Sequence, residues 1–211
     1  MSCLKLMQGL DLTCQTLTRK KYYQRIVLVN KADVLDYVIN TSGNNHNIYF
    51  SLKPGAIGYL FLSTEIGATM SATFNKSDDN GIPVYTHSCS LPIVGVDGYQ
   101  KTLLQQLDNA NYFAAILYND STVEILGFKY SLKTSDYSYE PQGSLGGAVL
   151  QLTSKFTEYV PPYNYLPKTA RTQGTVQEQA VADFDDLFVD IPEVRTGDFN
   201  DDFNIDFNID L

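Results

Sequence analysis

Short strand-like segments separated by turn residues dominate the first three quarters of this sequence. Arg25–Asn30 is a β-branched apolar run typical of a buried strand, and Asn47–Leu52 alternates between apolar and polar residues. Asp78–Pro83 is rich in residues that favour a turn. Strands spaced 8–12 residues apart, without intervening helices, argue against an α/β fold. The predicted strands are Arg25–Asn30, Asn47–Leu52, Tyr59–Leu62, Ala68–Phe74, Val84–Leu91, Asn111–Tyr118, Thr122–Phe128, Lys129–Thr134 and Gly147–Ser154.

One segment changes to helical periodicity. Asp97 is a candidate N-cap with Gln100 three residues later, and Leu103, Leu104, Leu107 and Ala110 then share one face of a helix. The predicted fold class is therefore all-β: an antiparallel β-sandwich or barrel with one packed α-helix, followed by an extended acidic C-terminal arm.

Charge and proline divide the chain. Residues 1–177 hold 13 acidic and 14 basic side chains, a net charge of +1, whereas residues 178–211 hold 11 acidic and one basic, a net charge of −10. Three prolines within Tyr159–Pro167 favour an extended segment rather than a sheet. The predicted organisation is an N-terminal arm over 1–20, a β-domain over 21–160, a proline-containing linker over 161–177 and an acidic arm over 178–211.

The acidic arm ends in a repeat of period four, in which Asp-Phe-Asn recurs. Acidic segments with regular aromatic residues are typical of peptides that order on binding, so we expect Asp183–Leu211 to be unstructured until it docks. The predicted partner-binding residues are Phe184, Phe188, Phe199, Phe203, Phe207 and Leu211. A plain solvating tail is the simpler alternative. A calcium site is a third, but the EF-hand spacing is absent among Asp183, Asp185, Asp186, Asp201 and Asp202.

No constellation of residues indicates catalysis, so we predict a non-enzyme with no cofactor and no metal site. The two histidines, His46 and His87, lack a second ligand at metal spacing, and His87 with Cys89 lacks an orienting third group. Three cysteines cannot form a complete disulfide framework, which favours a reducing compartment. Because no apolar run approaches ~18 residues, we expect no membrane anchor.

The order of elements after the helix suggests a family. The strand Tyr112–Tyr118, its turn, the strand Val123–Gly127 and the closing strand Gly146–Ser154 resemble small structural proteins of tailed Bacteroides-type phages, including crAss-like phages. The opening Leu12–Cys14, followed by Ile26–Asp33, is similar to the same group. Such proteins are tail-tube, ring or head–tail connector subunits.

The resemblance implies a non-enzymatic virion protein of the phage tail or neck, assembled in the bacterial host cytoplasm. It would form a ring-shaped homo-oligomer, contact other tail or portal-proximal proteins, and help form a passage through which DNA moves transiently without specific binding. The acidic arm would dock on neighbouring subunits. The alternative is a glycan- or receptor-binding β-sandwich module, in which tyrosines stack on sugars.

Overall fold

A computed structural model describes residues 23–41, 46–62, 70–94, 98–108, 110–140, 147–167 and 175–188. They form eleven strands and two helices, apart from a short 3-10 turn. The strands are β1 (Tyr23–Asn30), β2 (Val34–Asn40), β3 (Asn47–Leu52), β4 (Tyr59–Leu62), β5 (Ser71–Asp79), β6 (Ile82–Val94), β7 (Tyr112–Tyr118), β8 (Val123–Leu126), β9 (Lys133–Glu140), β10 (Gly147–Phe156) and β11 (Tyr163–Tyr165); the helices are α1 (Gly98–Leu107) and α2 (Val176–Phe188).

The strands form two sheets. The larger one is curled, with the order β2-β3-β11-β8-β7-β1-β4, and its only parallel pair among the described strands is β3 with β11. The smaller one is antiparallel, with the order β5-β6-β10-β9. Its β5–β6 hairpin turns at Asn80 and Gly81, whose φ angles of 51° and 81° are those that a two-residue hairpin turn requires.

The central strands of the larger sheet, β1 and β7, are buried on both faces. In β1, Ile26 and Leu28 face a core shared with the smaller sheet and α1, whereas Val27 and Val29 face a second core inside the curl. This placement explains the unbroken apolar run of β1, because a strand covered on both sides has no polar face. The second core is aromatic, with Phe50, Phe113 and Phe128 in mutual edge or tilted contact.

The predicted β-rich class with a packed α1 is confirmed, and three local predictions need correction. β2 was not predicted, because four successive residues of that edge strand are exposed and its apolar and polar residues do not alternate regularly. β9 begins at Lys133 rather than Lys129, because the chain bends over residues 127–130 and Gly127 has a φ of 75°. The larger sheet is mixed rather than purely antiparallel.

The proline-rich exit enters the larger sheet, where we had expected it to stay outside. β11 inserts between β3 and β8, and its Tyr163 and Tyr165 are buried. Pro161 and Pro162 precede β11, so the N–H groups that they lack are not needed by the ladder. The segment 161–177, expected to be a linker, thus contributes a central strand.

A second helix, α2, lies where the sequence pattern predicted an unstructured arm. Thr175 and Glu178 form a capping box: the Thr175 N–H donates to Glu178 Oε2 (2.7 Å), and the Glu178 N–H donates to Thr175 Oγ1 (3.3 Å). Ala180 and Phe184, one turn apart, enter the second core. Of the described helices, neither is long and apolar enough to cross a membrane.

Candidate functional site

A cleft of about 550 Å³ opens beside β2, at the end of the larger sheet. β2 supplies one wall, and the segment after β10 supplies the other. The cleft combines aromatic side chains with two lysines, one glutamate and one histidine. Its lining residues are Lys31, Tyr37, Ile39, Thr41, His46, Phe128, Lys129, Glu158, Tyr159, Val160, Pro161 and Tyr163.

Lys31 is the most unusual group in this cleft. Its Nζ lies 3.1 Å from the centroid of the Phe128 ring and 5.1 Å from that of Tyr37. Burial removes water from the ammonium and lowers the pKa of Lys31 from 10.5 to about 8. At neutral pH the ammonium therefore remains mostly charged, and the faces of the aromatic rings stabilise it. An anion that enters the cleft would stabilise this charge further.

The rim of the cleft is fixed by an exposed polar group. Lys129 Nζ donates to both carboxylate oxygens of Glu158, at 2.8 and 2.7 Å, and the Tyr130 hydroxyl donates to Glu158 Oε2 at 2.7 Å. The hydrogen bond from Lys129 lowers the pKa of the Glu158 carboxyl. Since Lys129 and Glu158 are exposed, their ion pair orients the rim and adds little to the stability of the fold.

His46 lines the same cleft and carries an unsatisfied polar atom inside the protein. Its main-chain oxygen accepts from the Asn164 N–H (2.7 Å), which fixes the residue beside β11. Its Nδ1 is enclosed and has no hydrogen-bond partner among the described residues. Because this nitrogen is enclosed, a ligand in the cleft does not reach it without movement of the residues around it.

β2 itself exposes a row of apolar side chains. The exposed fractions are 62% for Leu35, 51% for Tyr37 and 58% for Val38. β2 is the terminal strand of the described sheet, and the Tyr37 N–H donates to Asp36 Oδ1 of the same strand (2.8 Å). A long edge strand with exposed apolar residues is a surface that favours pairing with another strand.

His87 and Cys89 have structural positions. The His87 Nδ1 accepts from the Gly127 N–H (3.0 Å), and its Nε2 lies 2.9 Å from the Val160 oxygen, so a neutral ring protonated on Nε2 links the two sheets. Burial lowers the pKa of His87 to about 4 and raises the pKa of the Cys89 thiol to about 12. At neutral pH, His87 is too weak a base for general-base catalysis, and the Cys89 thiol is too weakly acidic to form the nucleophilic thiolate.

Acidification should destabilise the fold through His87. Because the folded-state pKa lies near 4, below its ordinary 6.5, the unfolded chain binds the proton more readily between these values. Above pH 6.5, His87 is neutral in both states and costs the fold no stability. As the pH falls from 6.5 toward 4, the free energy of unfolding decreases by up to about 3 kcal/mol. Urea denaturation at several pH values measures this decrease in the free energy of unfolding.

His87→Gln is the matched control, because its amide can donate to Val160 and accept from Gly127 but does not titrate. Its stability should vary less with pH over this window than that of the original chain. Identical pH profiles for the two proteins would contradict the assignment.

The predicted partner-binding residues fall into two groups. Phe184 is 1% exposed and packs inside the chain's own second core, so its side chain is not available as a partner-binding anchor in this structure. Phe188 lies at the end of α2, where its side chain is outside the described residues, and Phe199, Phe203, Phe207 and Leu211 lie outside them altogether.

The acidic residues on α2 also have intramolecular partners. Asp185 pairs with Arg25 (2.7 Å), and Asp183 accepts from the Tyr165 hydroxyl (3.2 Å). Among the described residues, no group of three or more His, Cys, Asp or Glu side chains could hold a metal ion. Asp201 and Asp202, also considered as calcium ligands, lie outside those residues.

The cleft was not predicted from the sequence. Its lining residues come from five separate parts of the chain, namely 31, 37–41, 46, 128–129 and 158–163, and no regular spacing connects them. The Thr175–Glu178 capping box and the helical spacing of Ala180 and Phe184 were readable signals for α2.

This chain was compared with protein-family models, curated proteins and solved structures, and none of them matches.

Proposed function

We propose that this chain is a non-enzymatic structural subunit of a ring in the tail or neck of a phage particle. The observation that carries the proposal is β2, an edge strand with Leu35, Tyr37 and Val38 exposed at the end of a well-buried sheet. Such an edge attracts another strand, and a contact between unlike surfaces of identical subunits closes into a ring when the rotation permits.

The rest of the molecule suits this function. The net charge of +1 over residues 1–177 leaves little long-range repulsion between neighbouring bodies. Two buried cores give a rigid body, which a subunit of a regular assembly requires. The ring would lie in the virion, contact other tail or portal-proximal proteins and help form the passage for DNA, as the resemblance implies.

Sedimentation velocity of the purified full-length chain tests the self-assembly. We expect one closed oligomer whose population grows with concentration. The variant Leu35→Lys/Val38→Lys should shift it toward monomer, since lysines on an edge strand oppose pairing. Ile82→Lys is the matched control, because Ile82 is similarly exposed but lies at the start of β6. A chain that remains monomeric at every concentration would contradict the proposal.

A glycan- or receptor-binding module is the second candidate, and the cleft favours it. Tyr37 and Tyr159 line the cleft and are half-exposed or more, as required of rings that stack on sugars. This function predicts that the chain binds a glycan as a monomer. Tyr37→Ala and Tyr159→Ala should each weaken that binding, whereas Tyr137→Ala, at an exposed site on β9, should not.

A further inference from the structure

The last nine residues of the sequence alternate strictly between apolar and polar side chains. Residues 203–211 read Phe-Asn-Ile-Asp-Phe-Asn-Ile-Asp-Leu. In an extended strand, every second side chain points to the same face, so all five apolar residues share one face and all Asn and Asp share the other. A helix at 100° per residue would instead separate the two isoleucines from the phenylalanines. The pattern is therefore typical of a strand with one buried face.

Four strands end the described sheets, and β2 is the edge best suited to such a strand. β4 has only four residues. β5 ends in Lys76, Ser77, Asp78 and Asp79, all exposed and polar. β9 carries Asp136 and Glu140. β2 has seven residues, with more exposed apolar residues than any of these edges.

The face of β2 that borders the cleft is also the face that needs covering. Tyr37 pairs with Phe50 and Ile39 with Ile48 in the register with β3, so these four side chains share a face. Tyr37 and Ile39 line the cleft, whereas Phe50 and Ile48 are buried. A further strand beside β2 would continue this face and place alternate side chains over the cleft.

Charge and length agree with this placement. Residues 198–211 hold five aspartates and no cation, whereas the cleft holds Lys31 and Lys129 against the single acidic residue Glu158. The attraction speeds and orients the encounter. Residues 189–202 separate α2 from the alternating segment, and a chain of this length extends to about 50 Å. That distance is sufficient to reach an adjacent subunit.

We propose that residues 203–211 of one copy add as a strand to the outer edge of β2 in a second copy, the edge with which no described strand pairs, and that their apolar face lies over the cleft. The inference rests on the proposed function, because it requires that copies of this chain assemble. It assigns the cleft to the acidic repeat and gives the head-to-tail contact that a ring needs: the arm of each subunit on the edge of the next.

Two double variants of the full-length chain separate a strand from a helix. Phe203→Ser/Phe207→Ser removes two anchors under either conformation. Ile205→Ser/Ile209→Ser removes side chains that share the phenylalanine face only in a strand. Asn204→Ser/Asn208→Ser is the matched control on the polar face. By sedimentation, we expect both apolar variants to weaken assembly at least about tenfold, a loss equivalent to ~1.4 kcal/mol, and the control to change it about twofold or less.

Hydrogen exchange of residues 34–40 identifies the edge. On assembly, backbone amides of β2 should exchange more slowly, and neither apolar variant should show this protection. A ring that persists unchanged in both apolar variants, or without protection of β2, would overturn the strand addition and leave the ring itself standing. A monomer with β2 protected would mean that the arm folds back on its own subunit. A monomer with β2 unprotected would remove both the strand addition and the ring.

Discussion

Phe184→Ala should lower the free energy of unfolding by about 3–5 kcal/mol, the usual range for a buried phenylalanine. The ring lies fully inside the second core, and α2 has no other large side chain of described position that is equally buried. Arg25 also contacts the Phe184 ring at 5.3 Å while pairing with Asp185, so the variant loses the apolar anchor beside that ion pair. Urea denaturation followed by tyrosine fluorescence measures the loss, since the chain has fifteen tyrosines and no tryptophan.

Val176→Ala is the matched control on the same helix, because Val176 is exposed and should change stability by less than about 0.5 kcal/mol. If Phe184→Ala unfolded like the original chain and only assembly were impaired, Phe184 would be a partner-binding residue after all, and the described packing of α2 would be contradicted.

Gly127→Ala should cost about 2–5 kcal/mol for two separate reasons. The φ of 75° lies in the left-handed region, where a side chain costs about 1–2 kcal/mol. An added Cβ would also lie 2.5 Å from Cγ of Leu132. Leu132 is fully buried, and two main-chain hydrogen bonds with Tyr112 hold it in place. Such overpacking costs about 1–3 kcal/mol. The shift would also disturb the bond from Gly127 to His87.

Gly81→Ala separates these two causes. Gly81 has a φ of 81° but an added Cβ would meet nothing within 4 Å, so only the conformational cost of about 1–2 kcal/mol applies. In chemical denaturation, the free energy of unfolding of Gly127→Ala should be clearly lower than that of Gly81→Ala. Equal losses would mean that Leu132 moves aside freely.

The sequence predicted the fold where local pattern and tertiary environment agree. Asn47–Leu52 and Tyr59–Leu62 match β3 and β4 at both ends, because alternation or an apolar run reflects the actual burial of each strand. β2 escaped prediction because four successive residues of this edge strand are exposed and its apolar and polar residues do not alternate, and β11 because its flanking prolines favour a break. In both cases, pairing with β3 decided the conformation, and periodicity cannot report such pairing.

The candidate site was less predictable than the fold. His87 lies in a predicted strand, and no local pattern indicates that it is enclosed and links Gly127 to Val160, two residues that are 40 and 73 positions away along the chain. Lys31 follows a buried strand, and nothing in the local sequence indicates that its ammonium lies against Phe128. Contacts between such distant residues arise only when the curl of the larger sheet brings them together.

Electron microscopy of the purified full-length chain tests the central claim most directly, namely that this protein assembles through the β2 edge. Two-dimensional averages should show closed rings of uniform size with a central opening, and the rings should be absent in the same preparation of Leu35→Lys/Val38→Lys. Fields without ring-shaped particles for the original chain, or rings that persist unchanged in that variant, would contradict the account.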